Sequence, residues 1–313
     1  MTEPRYKENI FMRLSRLLTK IVLLNLLFFQ HTSAWFGFFS KKAHEEVIQK
    51  EFPLTADGTV VIKNTVGTIV VNEWKQENIK IVATKKATKE EFLPMAEVKI
   101  KATEKKILII TKEKKEAQGK VEVNYKLLVP EAATVNVTTE KGGIFINNLR
   151  GQAKAQTKEG NIEIANVQGA IVTSADYGSI TVCNSCQDVR AHTLKGDITI
   201  EEATKTIVAR AKKGKICTTC KNACQLDTVC LSTESGHITL SLPEEVNAEL
   251  LAHTKKGRIS SQHEITLKPR TTTLNKKTFA RMRKEVDGTL GTGDASIKLT
   301  AGSGNIKISK PAA

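Results

Sequence analysis

Aromatic side chains make up only 5% of this 313-residue chain, too few large rings to fill a deep globular interior. The basic run at 267–284 holds a single aromatic, Phe279, too few for the stacking platform that single-stranded nucleic acids need. No apolar stretch approaches the roughly 20 residues required to cross a bilayer; residues 21–29 give a run of nine. Catalytic patterns are missing as well. His192, His237 and His253 stand in separate segments with no nucleophile and acid at a recognisable spacing. The glycine-rich GTLGTGDAS around Gly288 opens a strand rather than a helix, so it does not form a phosphate cradle. These absences lead to the expectation of a non-enzyme without cofactor, metal or nucleic-acid partner.

What the chain has in quantity is Ala, Val, Ile and Thr, small and β-branched residues that fit pleated surfaces better than helices. Lys and Arg number 48 against 33 Asp and Glu, a net charge of +15. Residues 12–34, MRLSRLLTKIVLLNLLFFQHTSA, combine a basic start, the short apolar run and a small-residue site at Thr32-Ser33-Ala34, the pattern of a secretory signal peptide. No cysteine follows that run to accept a lipid. Cleavage at about Ala34 is expected to leave an extracytoplasmic chain (periplasmic, secreted or cell-surface) with a net charge of about +12, suited to an anionic partner.

The strongest signal is an internal repeat. Glycines recur every 18 residues at Gly142, Gly160, Gly178, Gly196 and Gly214, then at Gly236 and Gly257 after small insertions. Two residues after each comes isoleucine: Ile144, Ile162, Ile180, Ile198, Ile216, Ile238 and Ile259. Seven, five and three residues before each glycine the positions are apolar or small, with mostly polar residues between, so each repeat reads as two short strands with one buried face. Glycine marks the corner between them, where a positive φ carries no Cβ penalty. One such unit cannot bury its own apolar face, whereas stacked units share a narrow core. The expected fold is an all-β, single-domain β-solenoid. An antiparallel sandwich of hairpins is the alternative, and the fixed period argues against it. The template returns at residues 60–71 and again at 297–308 around Gly304. The expected organisation is a signal peptide at 1–34, N-terminal strands and a capping sheet at 35–134, regular coils at 135–261, and a basic insertion with a C-terminal coil at 262–313.

TVVIKNTVGTIVV, NEWKQENIKIVATKKA with Trp74, VEVNYKLLVPEAATVNVTTEKGGIFI and the tandem T-x-x-G-x-I coils ending in GTLGTGDASIKLTAGSGNIKI together resemble the bacterial adhesin-like domain family called toastrack, over roughly residues 48–310. The resemblance implies an extracytoplasmic or membrane-associated β-solenoid with an adhesin label drawn from architecture, and some relatives accompany envelope-stress signalling systems. Nothing about the six cysteines follows from it.

Those cysteines form Cys183-x-x-Cys186 and Cys217-x-x-Cys220, followed by Cys224 and Cys230. Two C-x-x-C pairs suggest four-thiolate zinc, but a two-coil offset is about 10 Å at 4.8 Å per strand, beyond disulfide reach and awkward for a shared zinc, which stays the alternative. Export favours disulfides, and the expected bridges are local: Cys183–Cys186, Cys217–Cys220 and Cys224–Cys230. Thiol redox chemistry is disfavoured because neither pair opens a helix.

Two sets of cations are candidate ligand contacts. Lys154, Arg190, His192, Arg210 and His253 are expected to form a basic strip on one sheet face. Lys141, Lys158, Lys195, Lys212, Lys213, Lys255 and Lys256 precede the corners and are expected to form a cationic ladder along one edge. Either suits an anionic envelope polymer or lipid surface, although edge lysines also serve simply to block strand pairing. The competing reading is an accessory in envelope-stress signalling that holds a membrane protein by the capping sheet or by the 262–295 insertion, and a polysaccharide-processing β-helix enzyme is the minor alternative.

Overall fold

The computed structural model describes residues 43–117, 120–220, 226–268 and 284–311. The expected signal peptide, Cys224 and most of the basic run at 267–284 lie outside the described residues. Everything below belongs to the compact unit His44–Ala313.

The N-terminal part holds β1 (His44–Pro53), β2 (Thr59–Val66), β3 (Ile69–Trp74), β4 (Asn78–Ala87), β5 (Ala96–Thr103), β6 (Lys106–Glu113) and β7 (Val121–Pro130). A regular middle pairs β8 (Thr134–Lys141) with β9 (Ile144–Leu149), β10 (Ala153–Glu159) with β11 (Ile162–Val167), and β12 (Ile171–Tyr177) with β13 (Ile180–Ser185). It continues with β14 (Val189–Lys195) and β15 (Ile198–Ala203), β16 (Thr206–Lys213) and β17 (Ile216–Thr219), and β18 (Thr228–Ser235) and β19 (Ile238–Ser241). The C-terminal part comprises β20 (Ala248–Thr254), β21 (Ile259–Ser261), β22 (Thr266–Leu267), β23 (Glu285–Leu290), β24 (Ala295–Ser303) and β25 (Ile306–Ser309).

These strands form two long sheets, with β9, β11, β13, β15, β17 and β19 successive in the first and β8, β10, β12, β14, β16 and β18 successive in the second. Neighbouring coils pair in parallel with an 18-residue offset, Ile162 opposite Ile180 and Ala155 opposite Thr173. The solenoid expected from the repeat is the observed architecture. Alternation explains the core: in the coil from Val189 to Ala203, Val189, Ala191, Thr193, Ile198, Ile200 and Ala203 point inward and are buried, while Arg190 and His192 point out. Each buried isoleucine contributes about 1.5–3 kcal/mol.

Gly178 shows why the corner demands glycine. Its φ is +150°, and a Cβ there would run into the backbone carbonyl of Gly160 in the preceding coil. Threonines three residues before the next corner donate back to carbonyls of this kind: Thr193 Oγ1 to Gly178 O at 3.1 Å and Thr157 Oγ1 to Gly142 O at 3.2 Å. Gly257 departs from the series, since its φ is not among the positive ones.

A second bend was not anticipated. Asn148, Asn166 and Asn184 take φ of 57°, 57° and 55°, a left-handed conformation that asparagine tolerates better than most residues. Asn166 Nδ2 donates to Asn148 Oδ1 at 2.9 Å and Asn184 Nδ2 to Asn166 Oδ1 at 2.8 Å, a ladder of side-chain amides along the stack. The bend lets two successive residues face outward before Leu149, Val167 and Ser185 return to the core.

The ends break sequential order. In the second sheet β24 lies between β18 and β20, and in the first β25 lies between β19 and β21. The C-terminal coil therefore does not follow the 248–261 coil; it fills the slot between that coil and the 228–241 coil. Gly304 packs on Gly236, and Gly257 packs on Gly304. The N-terminal end does the same: β2 and β3 form a coil between β8/β9 on one side and β6/β7 on the other. Antiparallel strands close both ends, β4 on β7 and β5 on β6 at one, β23 on β20 at the other.

Candidate functional site

The outer face of the second sheet carries the most uniform chemistry among the described residues. Its strands run β5-β6-β2-β8-β10-β12-β14-β16-β18-β24-β20, and two adjacent outward rows cross all eleven. One row reads Lys101, Leu108, Val61, Asn136, Lys154, Val172, Arg190, Val208, Cys230, Lys298 and Leu251. The other reads Lys99, Ile110, Lys63, Thr138, Gln156, Ser174, His192, Arg210, Ser232, Thr300 and His253. Neither row contains Asp or Glu. Followed past β20, the two rows meet carboxylates at β23, where Asp287 stands opposite Leu251 and Glu285 opposite His253. At about 4.8 Å per strand the band is about 48 Å long.

The strip expected from Lys154, Arg190, His192, Arg210 and His253 is thus brought onto one face, and register adds what alternation alone did not reveal. Lys63 and Lys298 extend it, and two outward aliphatics, the exposed Val172 and the half-buried Val208, stand on either side of Arg190. Val172, Ser174, Arg190, His192, Val208 and Arg210 line a shallow depression of about 500 Å³. Within the band Lys99 pairs with Glu97 at 3.1 Å; Lys63, Lys154, Arg190, Arg210 and Lys298 have no ion-pair partner among the described residues.

The edge lysines are arranged differently from the expected ladder. The row beside the corners reads Lys141, Glu159, Tyr177, Lys195, Lys213 and Ser235. Lys141 pairs with Glu159 at 3.1 Å and Lys158 with Glu140 at 2.8 Å, and hydrogen bonding to Glu140 holds the Lys158 ammonium above its usual range. Lys195 sits over the Tyr177 ring at 4.9 Å. Lys212 and Lys213 have no ion-pair partner among the described residues, but β18 and the inserted β24 separate them from Lys255 and Lys256. The ladder is interrupted because acids from neighbouring coils, invisible without register, sit between its rungs.

The cysteines also depart from expectation. Cys183, Cys186, Cys217, Cys220 and Cys230 are free thiols. Cys217 projects outward from β17 while Cys220 is fully buried, so the two face opposite sides and the local bridge is not formed. Cys183 instead lies 3.8 Å from Glu201 Oε2 in the next coil. Burial, reinforced by Glu201, pushes its thiol up to about 11, burial alone pushes Cys220 up to about 12, and Cys217 is raised by burial and then Glu201. No group of three or more His, Cys, Asp or Glu that could hold a metal occurs among the described residues.

The profile of the family described as Toastrack DUF4097 matches residues 57–309. The chain belongs to that family. No curated protein matches this toastrack chain. Solved structures similar to it include a Bacteroides fragilis protein provisionally named an adhesin, 12% identical over 84% of this chain and 97% of that one, with a TM-score of 0.42. A Parabacteroides distasonis protein, also provisionally named an adhesin, is 11% identical over 84% of this chain and 97% of its own, with a TM-score of 0.39. Another from that species, provisionally named a lipid-binding protein, is 11% identical over 83% and 96%, with a TM-score of 0.29. In this toastrack chain the binding candidates therefore rest on its own side chains.

Proposed function

We propose that this protein is an exported, non-enzymatic binding module of the cell envelope that presents the outer face of its second sheet to an anionic partner. The observation that carries the reading is the band of two rows across eleven strands without a carboxylate, in a chain that has 33 acidic residues to place elsewhere. Unpaired guanidinium and ammonium groups attract an anion along a long front, and the attraction is screened by salt. A non-enzymatic role is supported by burial that raises the Cys183, Cys217 and Cys220 thiols, disfavouring their nucleophilic thiolates, and by His192, whose sheet neighbours Ser174 and Arg210 include no carboxylate to orient it. Export rests on residues 12–34.

The test is retention on isolated envelope material, and on anionic against neutral matrices, across a salt series. The comparison is a variant with Lys154, Arg190 and Arg210 changed to Gln. Retention by wild type that falls with salt and is lost in the variant is expected; retention indifferent to both would sink the reading. Mass spectrometry of the exported protein checks for a new N-terminus after Ala34.

A further inference from the structure

We infer that the basic band is a track for a single linear acidic polysaccharide that lies along the stack axis, its carboxylates over Lys154, Arg190 and Arg210 and its sugar rings over Val172 and Val208. This rests on the reading of the band as a binding face and adds the shape and chemistry of the occupant.

Width decides against a flat surface. The two rows are separated by two residues along each strand, about 7 Å, whereas the band runs for about 48 Å. Acids flank it: Glu140 and Asp176 neighbour Lys158 on one side, and Glu249 stands opposite Ser296 on the other. A planar anionic bilayer laid on this sheet would meet those carboxylates as well as the cations, while one extended chain following the rows avoids them.

The rows also differ from each other as the two sides of a sugar chain do. In one, cations alternate with aliphatic side chains, Lys154-Val172-Arg190-Val208 on four successive strands. Its cations fall two strands apart, about 10 Å, and the valines between offer a dry surface for the C–H face of a ring. In the other, Thr138, Gln156 and Ser174 offer hydroxyl and amide groups to ring hydroxyls. A polyphosphate, which has no C–H face to lay on Val172 and Val208, would place anions there at a desolvation cost.

The experiment is calorimetric titration of the purified full chain with oligogalacturonates of increasing length, beside dextran oligomers, inorganic polyphosphate and phosphatidylglycerol vesicles. Expected are affinity that rises with oligogalacturonate length, no binding to dextran, and at least about tenfold weaker binding in Val172→Asp and in the Arg190→Gln, Arg210→Gln double variant. Lys212→Gln, Lys213→Gln, outside the band, is expected to bind as wild type, and all variants to keep the wild-type melting temperature. Affinity independent of length, or polyphosphate bound as tightly with Val172→Asp without effect, overturns the polysaccharide track. Tight binding to vesicles with none to oligomers overturns it while leaving the anionic-face reading intact. Failure of every anionic probe overturns both.

Discussion

Between β8 and β19 each coil packs on the coil made just before it, whereas at both ends the neighbour in space is far away in sequence. Ile180 pairs with Ile162 across 18 residues, but Ile306 pairs with Ile238 on one side and Ile259 on the other. The middle is a one-dimensional array whose stability is a sum of nearest-neighbour terms. The ends are interlocked, so removing a terminal segment of sequence removes an interior layer of the stack. Order in the chain and order in space are separate properties, and only the first is written in the repeat.

Deleting residues 295–313 is the most severe way to break that comparison. Loss of β24 and β25 strips both the 228–241 and the 248–261 coils of a partner, and the melting temperature is expected to fall by more than about 10 °C, at 2–4 °C per kcal/mol for a chain of this class. Hydrogen exchange is expected to accelerate at Val229 and Leu231 and not at Ile162 and Ile164. Protection lost only within the deleted segment would mean that the C-terminal coil is an end cap after all.

Equivalent isoleucines give a milder contrast. Ile198 is fully buried in the middle, while Ile259 at the end of the first sheet is only half-buried. Ile198→Ala is expected to cost about 2–5 kcal/mol and Ile259→Ala about 1 kcal/mol or less. Equal losses in urea unfolding would erase the distinction between interior and terminal coils.

Alkaline pH gives the smallest effect. Burial raises Cys220 from 9.0 to about 12, so the folded protein keeps a proton that the unfolded chain releases. The stability from this thiol is complete below about pH 9 and is lost as pH climbs toward 12; at pH 10 the loss is about 1 kcal/mol. Cys220→Val is expected to flatten that part of the profile, and Cys183→Ser, whose less buried thiol is raised to about 11, to flatten it less. An identical slope in Cys220→Val would place the alkaline sensitivity elsewhere, with Cys183, Cys217 and Tyr125, all raised by burial, as the remaining groups.

The middle was legible because its constraints are local. A corner glycine, a threonine three before it and an isoleucine two after it each answer to the coil immediately next door. The amide ladder was equally periodic, six residues after Gly142, Gly160 and Gly178, but asparagine among exposed polar residues gives no hydropathy signal. The insertion of β24 between β18 and β20 left no trace, since residues 297–308 obey the same template wherever in the stack they sit. The band was half visible: alternation exposed Arg190 and Arg210, whereas the flanking Val172 and Val208 and the absence of carboxylates required register. Cys220 misled because C-x-x-C spacing says nothing about which side of a strand end a thiol faces.

The interlocked ends also govern how the molecule can change length over evolutionary time. Each end coil is clasped by strands made elsewhere, so an extra repeat appended at either terminus of the gene would have no free face to join. Duplication of one 18-residue unit within residues 153–206 adds a layer where both neighbours are already complementary to it. It moves the two clasps apart without altering either and lengthens the basic face by one rung. Relatives of different repeat number are accordingly expected to differ in the middle and to share the clasped ends.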